Sequence, residues 1–390
     1  MARPTLRTRL CDILGIEYPV VLAGMGGVAG HKLVAAVSQA GGLGVIGAAT
    51  MGPDELRGEI RSVRKLTDKP FGVDILLPSM GTMPQAPGAA TGRGAGEGDI
   101  PSNWRDMLPA PQVEFAASLR RKFDLPDVLP EFPTASGGRE GTIFGPGFTR
   151  SQIDTILEEK VPVFASGLGN PAPFVEEFHA AGVKVIALVG NVKNARRVAE
   201  GGTDVVVAQG TEAGGHTGRV GTMALVPQVV DAVAPKPVLA AGGVGDGRGL
   251  AAALCLGAVG VWVGTAFVVS KEANWDDVLK QRILDASEED TRVTRIYSGK
   301  TMRNIKNPLI EAWEEAGVPT LAFPFQGAVI RDVTFAAERA GRKEMGMNPA
   351  GQISGMFHEQ RSAGDILEEI VGQAAEIIRR LPAGMPAVTS

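Results

Sequence analysis

Cysteine, aromatic residues and an excess of basic charge are scarce or missing in this sequence, and each shortage excludes a class of protein. The two cysteines, Cys11 and Cys255, lie far apart and form no CxxC or Cys/His pattern, so we expect neither a disulfide framework nor a metal site. Aromatic residues make up only 5% of the chain, so the core must consist mainly of aliphatic side chains. With 39 basic against 43 acidic residues the net charge is −4, and no nucleic-acid partner is expected.

Long hydrophobic runs are also missing, with one exception. The stretch Gly249–Ser270 carries no charged residue and is long enough to cross a bilayer as a helix. Its first half is rich in Ala and Leu and its second half is β-branched, which indicates a buried helix, a glycine turn and a buried strand. The N-terminal residues lack the apolar segment of a signal peptide. We therefore expect a cytoplasmic protein without a membrane partner.

Glycine is abundant, at 52 of 390 residues, and it falls between short apolar runs that recur along the chain. Stretches with helical spacing separate most of these runs. The runs are continuously apolar, which is typical of parallel strands covered on both faces. The pattern predicts an α/β fold, a (β/α)8 TIM barrel, with an open doubly wound sheet as the alternative. The eight predicted strands are Pro19–Ala23, Leu43–Ile46, Phe71–Ile75, Val161–Ala165, Val183–Leu188, Asp204–Ala208, Pro237–Ala240 and Val259–Val263.

Two regions interrupt this rhythm. Residues 78–150 form a long insertion after the third strand, rich in Gly and Pro, with one helical piece near Gln112–Lys122. A loop of this length is usually functional or disordered, and this one could act as a lid over the site. Residues 271–390 follow the eighth strand and end in an amphipathic helix near Ala363–Leu381. Because no linker sets them apart, we interpret them as a helical extension packed on the barrel, and residues 1–390 as one domain.

Four glycine-containing turns lie at the C-terminal ends of the predicted strands, which is the catalytic end of such a barrel. The turns after the seventh and eighth strands, with Gly242, Gly243 and Gly264-Thr265, allow the backbone to approach an anion and to offer converging N–H groups. Either turn alone would indicate only a tight turn, but the two together predict a phosphate site. The other two turns are Gly24–Gly27, after the first strand, and Gln209–Gly218, after the sixth.

His216 is the strongest candidate for proton transfer. It follows Gly214 and Gly215 in the loop after the sixth strand, and imidazole titrates near neutrality. Glu212, in the same loop, is expected to orient the loop rather than to react. The first turn matches a dinucleotide fingerprint only weakly, because no acidic residue lies about 20 positions further on. Close packing of the backbone at Gly24 against a flat ring is the better interpretation.

The loop Ala208–Gly218 resembles the signature loop of the nitronate monooxygenase family, formerly called 2-nitropropane dioxygenases. The segments Ala240–Arg248 and Val263–Phe267 are similar to the two phosphate-binding turns of that family. Pro19–Gly24 is similar to its first strand and turn, and Gly351-Gln352 to its late flavin contact. The resemblance covers residues 19–76 and 161–270, and more loosely 348–370.

The resemblance implies an FMN-dependent oxidoreductase that binds its cofactor noncovalently in a TIM barrel. It implies oxidation of alkyl nitronates or nitroalkanes by O2 to a carbonyl compound and nitrite, with His216 as the base. Many relatives have Asn where this chain has Asp74, so that flavin contact differs in charge. The implied FMN contacts are Gly242, Gly243, Gly264 and Thr265 at the phosphate, Ala23, Gly24 and Met25 behind the ring, Gln209 and Gln352 at its polar edge, Gly214 and Gly215 in the loop, and Asp74.

Other functions remain open on the sequence. An FMN- and NAD(P)H-dependent enoyl-ACP reductase has a similar Gly-Gly-His loop and barrel, and a related NADH:quinone reductase is a further candidate. A noncatalytic barrel that only binds a phosphorylated ligand belongs to a different class. A small-molecule substrate and O2 are the expected partners, and the sequence leaves open both the physiological substrate and a homo-oligomeric state.

Overall fold

The computed structural model describes residues 6–77, 108–130, 146–323 and 325–384. Most of the insertion over residues 78–150 lies outside the described residues, so its role as a lid stays a prediction. The strands are β1 (Val20–Leu22), β2 (Gly44–Gly47), β3 (Phe71–Leu76), β4 (Val163–Leu168), β5 (Lys184–Val189), β6 (Val205–Gln209), β7 (Gly215–His216), β8 (Val238–Ala241), β9 (Gly260–Val263), β10 (Thr291–Thr294) and β11 (Met302–Ile305).

The helices occupy most of the intervals between the strands. Short 3-10 helices lie at Lys343–Met345 and Gln352–Met356. The α-helices are α1 (Arg9–Leu14), α2 (His31–Gln39), α3 (Pro53–Leu66), α4 (Ala110–Lys122), α5 (Pro146–Glu158), α6 (Ala172–Ala180), α7 (Val192–Glu200), α8 (Thr222–Val233), α9 (Gly247–Cys255), α10 (Thr265–Val268), α11 (Asp277–Leu284), α12 (Pro308–Ala316), α13 (Phe325–Arg339) and α14 (Ala363–Gly384).

Eight parallel strands form the central sheet, in the order β1-β9-β8-β6-β5-β4-β3-β2. A parallel bridge between Val21 of β1 and Leu43, just before β2, joins the two ends of this order and closes the sheet into a barrel. All eight predicted strands are present, with ends shifted by a few residues. The predicted (β/α)8 barrel is therefore confirmed, and the open doubly wound sheet is excluded.

The strands are largely apolar because both of their faces are buried. Side chains such as Val21 and Leu239 point into the barrel, whereas Val20 and Phe164 pack beneath the outer helices. α1 closes the N-terminal end of the barrel, where Leu10 joins the inward-facing side chains. The barrel interior is thus a packed core, and the other end is left for a site.

The uncharged stretch Gly249–Ser270 contains most of α9, a turn, β9 and α10, as the change in its composition predicts. Gly257 in that turn has a φ of +90°, which favours glycine. No helix within the described ranges is long and apolar enough to cross a bilayer.

The last helix, α14, completes the outer ring of the barrel. The helix directly after β9, α10, has only four residues and cannot cover the sheet. α14 packs instead against α9 and α2, the helices on either side of that gap. The backbone N–H of Gly247 in α9 donates to Oε1 of Gln373 at 3.1 Å, and Leu367 is buried in the barrel cluster. About a hundred residues are therefore inserted between β9, the last strand of the barrel, and α14, the helix that covers it.

A second hydrophobic core, called the second core below, lies in this inserted segment together with α4. Leu309 and Trp313 of α12 pack there with Val333 of α13 and Leu119 of α4. Next to it, β10 pairs antiparallel with β11, and β11 pairs antiparallel with β7. The sequence patterns did not predict this three-stranded sheet, whose strands are short and partly polar. It connects the C-terminal extension to the loop after β6.

Candidate active site

The four glycine-containing turns follow four neighbouring strands. β9 lies between β1 and β8, and β8 lies beside β6, so the turns after these strands are adjacent at the C-terminal end of the barrel. Parallel strands all end at the same rim, which is why turns distant in sequence meet there. The structure thus brings together the residues on which the predicted site depends.

The turns after β8 and β9 leave room and hydrogen-bond donors for an anion. Gly242 and Gly243 have φ values of +91° and +74°, a left-handed conformation that favours glycine. A Cβ atom on Gly243 would have its nearest neighbour at 3.8 Å, and one on Gly264 at 3.5 Å, so neither corner is packed shut. Within the described residues, the backbone N–H groups of Gly243, Gly264 and Thr265 donate no hydrogen bond. Free N–H groups beside open glycine corners suit a phosphate group.

The first turn lies between the β9 corner and the end of β3. A Cβ atom on Gly264 would lie 3.5 Å from Sδ of Met25 and 3.6 Å from Cβ of Ala23. On the other side, a Cβ atom on Gly24 would lie 2.2 Å from Cβ of Asp74, a separation that real side chains do not tolerate. Glycine is required at position 24 because the backbone passes directly over the Asp74 side chain.

Asp74 is a buried carboxyl group near the C-terminal end of β3, with 5% of its surface exposed. Its Oδ1 accepts a hydrogen bond from the backbone N–H of Gly167 at 2.6 Å. Burial raises the pKa of this carboxyl well above its ordinary value, and the single N–H donor offsets only part of that rise. A buried carboxyl group with a raised pKa therefore lies next to the turn that resembles a ring-backing segment.

The histidine loop, residues 209–218, is held by the segment that precedes α14. A Cβ atom on Gly214 would lie 2.8 Å from the backbone nitrogen of Gly351, so the two backbones touch. The N–H of Gly351 donates to Oγ1 of Thr265 at 3.0 Å, and the N–H of Gln352 donates to the carbonyl of Glu212 at 3.0 Å. Gly214 thus serves backbone packing, and Thr265 links the β9 corner to this segment.

Glu212 anchors the other side of the histidine loop. Its carboxylate accepts hydrogen bonds of 2.9 Å from the backbone N–H and the hydroxyl of Thr222, at the start of α8. A carboxylate at a helix N-terminus satisfies N–H groups that lack partners within the helix. These contacts agree with the predicted orienting role of Glu212.

His216 lies in β7, opposite Met302 of β11. Its backbone carbonyl accepts a hydrogen bond from Nε2 of Gln209 at 2.6 Å, and its ring Nε2 lies 2.9 Å from Oγ of Ser298. Burial, and secondarily the positive charge of Lys300, lower the pKa of the imidazole to about 4. The ring is therefore neutral at physiological pH and can accept a proton.

Three polar residues of the C-terminal extension reach this loop, and the sequence analysis missed them. Ser298 contacts the imidazole, and the positive charge of Lys300 lowers the pKa of the imidazole. Arg303 donates two hydrogen bonds, of 3.0 and 3.2 Å, to the carbonyl of Thr211. Arg303 is 7% exposed, so it acts as a buried clamp. The only sequence signal is a polar stretch from Tyr297 onwards, which carries no recognisable spacing.

Gln352, the predicted late contact, begins the 3-10 helix Gln352–Met356 with an exposed side chain. Its backbone is the part that contacts the histidine loop. The remaining histidines lie away from these contacts. His31 pairs with Glu59 and His179 with Asp204 at the ends of outer helices, and His358 is exposed.

Comparison with known proteins gives consistent results across the whole chain. The family model described as nitronate monooxygenase matches residues 7–373. The chain is 37% identical to "Putative monooxygenase Rv1533" of Mycobacterium tuberculosis over 96% of this chain and 98% of the relative. It is 34% identical to a "Probable nitronate monooxygenase" of Staphylococcus aureus strain Newman over 96% of this chain and 99% of the relative.

Two solved structures share the fold along nearly their full lengths. FabK from Thermotoga maritima is 33% identical, with a TM-score of 0.73, covering 98% of this chain and 100% of that chain. A nitroalkane oxidase from Streptomyces ansochromogenes is 28% identical, with a TM-score of 0.74, covering 95% and 99%. Both likenesses include the barrel and the inserted segment, because the coverage leaves out almost none of this chain.

Proposed function

Because the chain belongs to the nitronate monooxygenase family, we propose that it binds FMN at the C-terminal end of the barrel and oxidises alkyl nitronates and nitroalkanes with O2. The products would be a carbonyl compound and nitrite. Flavin dependence is general for the family. Because the members of the family are oxidoreductases, we no longer consider the alternative of a noncatalytic barrel that only binds a phosphorylated ligand. The proposal depends on one observation: the first turn, the two glycine corners and the histidine loop follow four adjacent strands and meet at the same end of the barrel.

The residues at the strand ends fit such a cofactor. Gly243, Gly264 and Thr265 would hold the phosphate through free N–H groups and the Thr hydroxyl, since there is room at both glycines and these donors are unused. Gly242, with its positive φ, would shape the corner beside them. The ring would lie against the first turn, where side chains are small or flexible. The remaining proposed contacts are Ala23, Gly24, Met25, Asp74, Gln209, Gly214, Gly215 and Gln352.

His216 would move the substrate proton. Within the described residues its Nδ1 has no hydrogen-bond partner, whereas Nε2 faces Ser298. If Nε2–H donates to Oγ of Ser298, whose hydroxyl can donate to the carbonyl of Lys300 at 3.3 Å, then Nδ1 is left as the proton acceptor. The nearby Lys300 supplies a positive charge that favours an anionic substrate. Electron transfer between the substrate and O2 would be the part supplied by the bound flavin.

Rapid mixing in the absence of O2 tests this function. The flavin-loaded full chain is mixed with an alkyl nitronate or with NADH, and flavin absorbance is followed. We expect bleaching by the nitronate and not by NADH. In steady state, His216→Asn should lower turnover of a neutral nitroalkane by about 10²–10⁴-fold and affect the preformed nitronate less, because only the neutral substrate needs a base.

His179→Asn is the matched control, since His179 lies on α6 with Asp204 as its partner. It should leave both activities unchanged. Bleaching by NADH but not by the nitronate would contradict the proposal. Equal losses with the nitroalkane and the nitronate would show that His216 is not the base.

A second candidate function is favoured by one observation. The likeness to FabK, at 33% identity over nearly the whole of both chains, fits an FMN- and NAD(P)H-dependent enoyl-ACP reductase. A quinone reductase of the same barrel type would share its need for NAD(P)H. The mixing experiment separates both from the first candidate, because they require reduction of the flavin by the nicotinamide.

A further inference from the structure

Asp74 occupies an unusual position for a carboxyl group. Its side chain points into the barrel mouth between two glycines: a Cβ atom on Gly24 would lie 2.6 Å from Oδ2, and one on Gly167 would lie 2.8 Å from the same oxygen. Oδ1 accepts the N–H of Gly167, whereas Oδ2 accepts no hydrogen bond within the described residues. Any side chain at positions 24 or 167 would displace the carboxyl group, so the two glycines preserve its place.

No charged group compensates this carboxyl. The elements packed against it are β2, β4 and the turn at residues 23–25, and none of the three contains a titratable side chain. One backbone N–H is its only polar partner within the described residues. An ionised carboxylate buried with so little compensation is unfavourable, which is why its pKa is raised by burial. The neutral acid differs from the carboxylate in having one O–H donor.

We propose that Asp74 binds the flavin as a neutral acid and donates its proton through Oδ2 to an acceptor atom of the ring. The inference rests on the proposed FMN site, because the first turn, which would back the ring, lies directly over Oδ2. Ring carbonyls and ring nitrogens of a flavin are hydrogen-bond acceptors, and within the described residues Oδ2 has no other partner that such an atom would displace. Ionisation of Asp74 and binding of the flavin therefore oppose each other.

This opposition makes the affinity for FMN depend on pH in a defined direction. If binding requires the proton, bound FMN raises the pKa of Asp74 further. The dissociation constant for FMN must therefore rise with pH between the pKa of Asp74 in the free protein and its pKa in the loaded protein. Linkage limits the slope to about tenfold per pH unit. Asn in place of Asp74 supplies a donor that does not titrate. In Asp74→Asn, the pH dependence of the FMN dissociation constant that is due to Asp74 should therefore vanish.

The test is a titration of flavin-free full-length protein with FMN from pH 5 to pH 9, following flavin fluorescence. The ratio of the dissociation constants of wild type and Asp74→Asn cancels the ionisation of the FMN phosphate, which both proteins share. We expect a ratio near one at pH 5 that rises at least tenfold by pH 9. Asp74→Leu, which has no donor, should bind FMN weakly and with no slope of its own relative to Asp74→Asn.

A ratio that stays constant with pH would overturn the proposal, as would loss of FMN from Asp74→Asn at pH values where wild type retains it. Infrared spectroscopy of the wild type provides a readout that needs no flavin: the carbonyl band of a protonated carboxyl should be present at pH 5, should fade as the pH is raised, and should be absent from Asp74→Asn. If the folded proteins bind no FMN at any pH, the proposed function fails and this inference with it. A missing infrared band with normal FMN binding overturns the inference alone.

Discussion

At the scale of single residues, the histidine loop presents a neutral base beside a cation. Burial is the larger cause of the low pKa of His216, about 4, and the charge of Lys300 is the smaller. Lys300 is half-buried, burial lowers the pKa of its ammonium group, and its Nζ lies 4.7 Å from the centroid of the Phe323 ring. Within the described residues Lys300 forms no ion pair with a carboxylate, so its charge is available to an anionic ligand.

Replacing Lys300 with Met should raise the pKa of His216 above 4 but leave it below 6.5, because burial remains. The titration of the ring protons by NMR measures this shift. Since a folded-state pKa below the unfolded value destabilises the fold as pH falls from about 6.5 to about 4, the variant should also lose less unfolding free energy over that window. Lys306→Met, which removes the cation paired with Asp290, is the control. An unchanged His216 titration would show that Lys300 is too distant to matter.

At the scale of elements, β11 positions the histidine loop. It pairs with β7 through Met302 opposite His216 and Arg303 opposite Gly215. The guanidinium of Arg303 adds hydrogen bonds to the carbonyl of Thr211, and Nη1 donates to Oγ1 of Thr291 at 2.9 Å. A strand of the C-terminal extension thus holds both ends of the loop that carries the imidazole.

Arg303→Met should lower the unfolding free energy by roughly 2 kcal/mol, because it removes charge-assisted hydrogen bonds and leaves the half-buried Thr211 carbonyl without its donor. As a positioning residue, Arg303 should also change the NMR titration of His216, which loss of global stability alone would not do. Arg292→Met on the neighbouring β10 is the control, since Arg292 is largely exposed. If the His216 titration is unaffected in Arg303→Met, Arg303 is structural only.

The contrast between β9 and β11 explains how far the sequence could predict this molecule. β9 is a continuous apolar run because both faces are buried, and that signal is local. β11 is partly polar, and it acts on the site by pairing with β7. Ser298, in the segment before β11, meets His216 across 82 residues of sequence. The glycine corners were predictable because the positive φ of Gly242 and Gly243 favours glycine, so the turn leaves a local signal in the sequence. Asp74 could be singled out by its identity, but the rise in its pKa follows only from what surrounds it.

At the scale of the whole molecule, two cores are joined through the site. The barrel core includes Leu367 of α14, whereas the second core includes Ile310 of α12, and both side chains are fully buried. The chain passes from the barrel into the second core after β9 and returns to the barrel with α14. Between them lie the β11–β7 pairing and the contact of Gly351 with Thr265. The catalytic end of the barrel is therefore built by both parts.

This arrangement predicts that residues 1–390 unfold as one cooperative unit. Leu367→Ala and Ile310→Ala should each remove about 2–5 kcal/mol of stability, because each leaves a cavity in a packed core. If the cores are coupled through the site, both variants lower the midpoint of the same calorimetric transition, and both weaken flavin binding at temperatures near it. Glu368→Ala, at an exposed position beside Leu367, should shift the midpoint very little. Two separate calorimetric transitions, each shifted by only one of the variants, would contradict this prediction. They would show that the chain consists of two domains, with the histidine loop at the boundary between them.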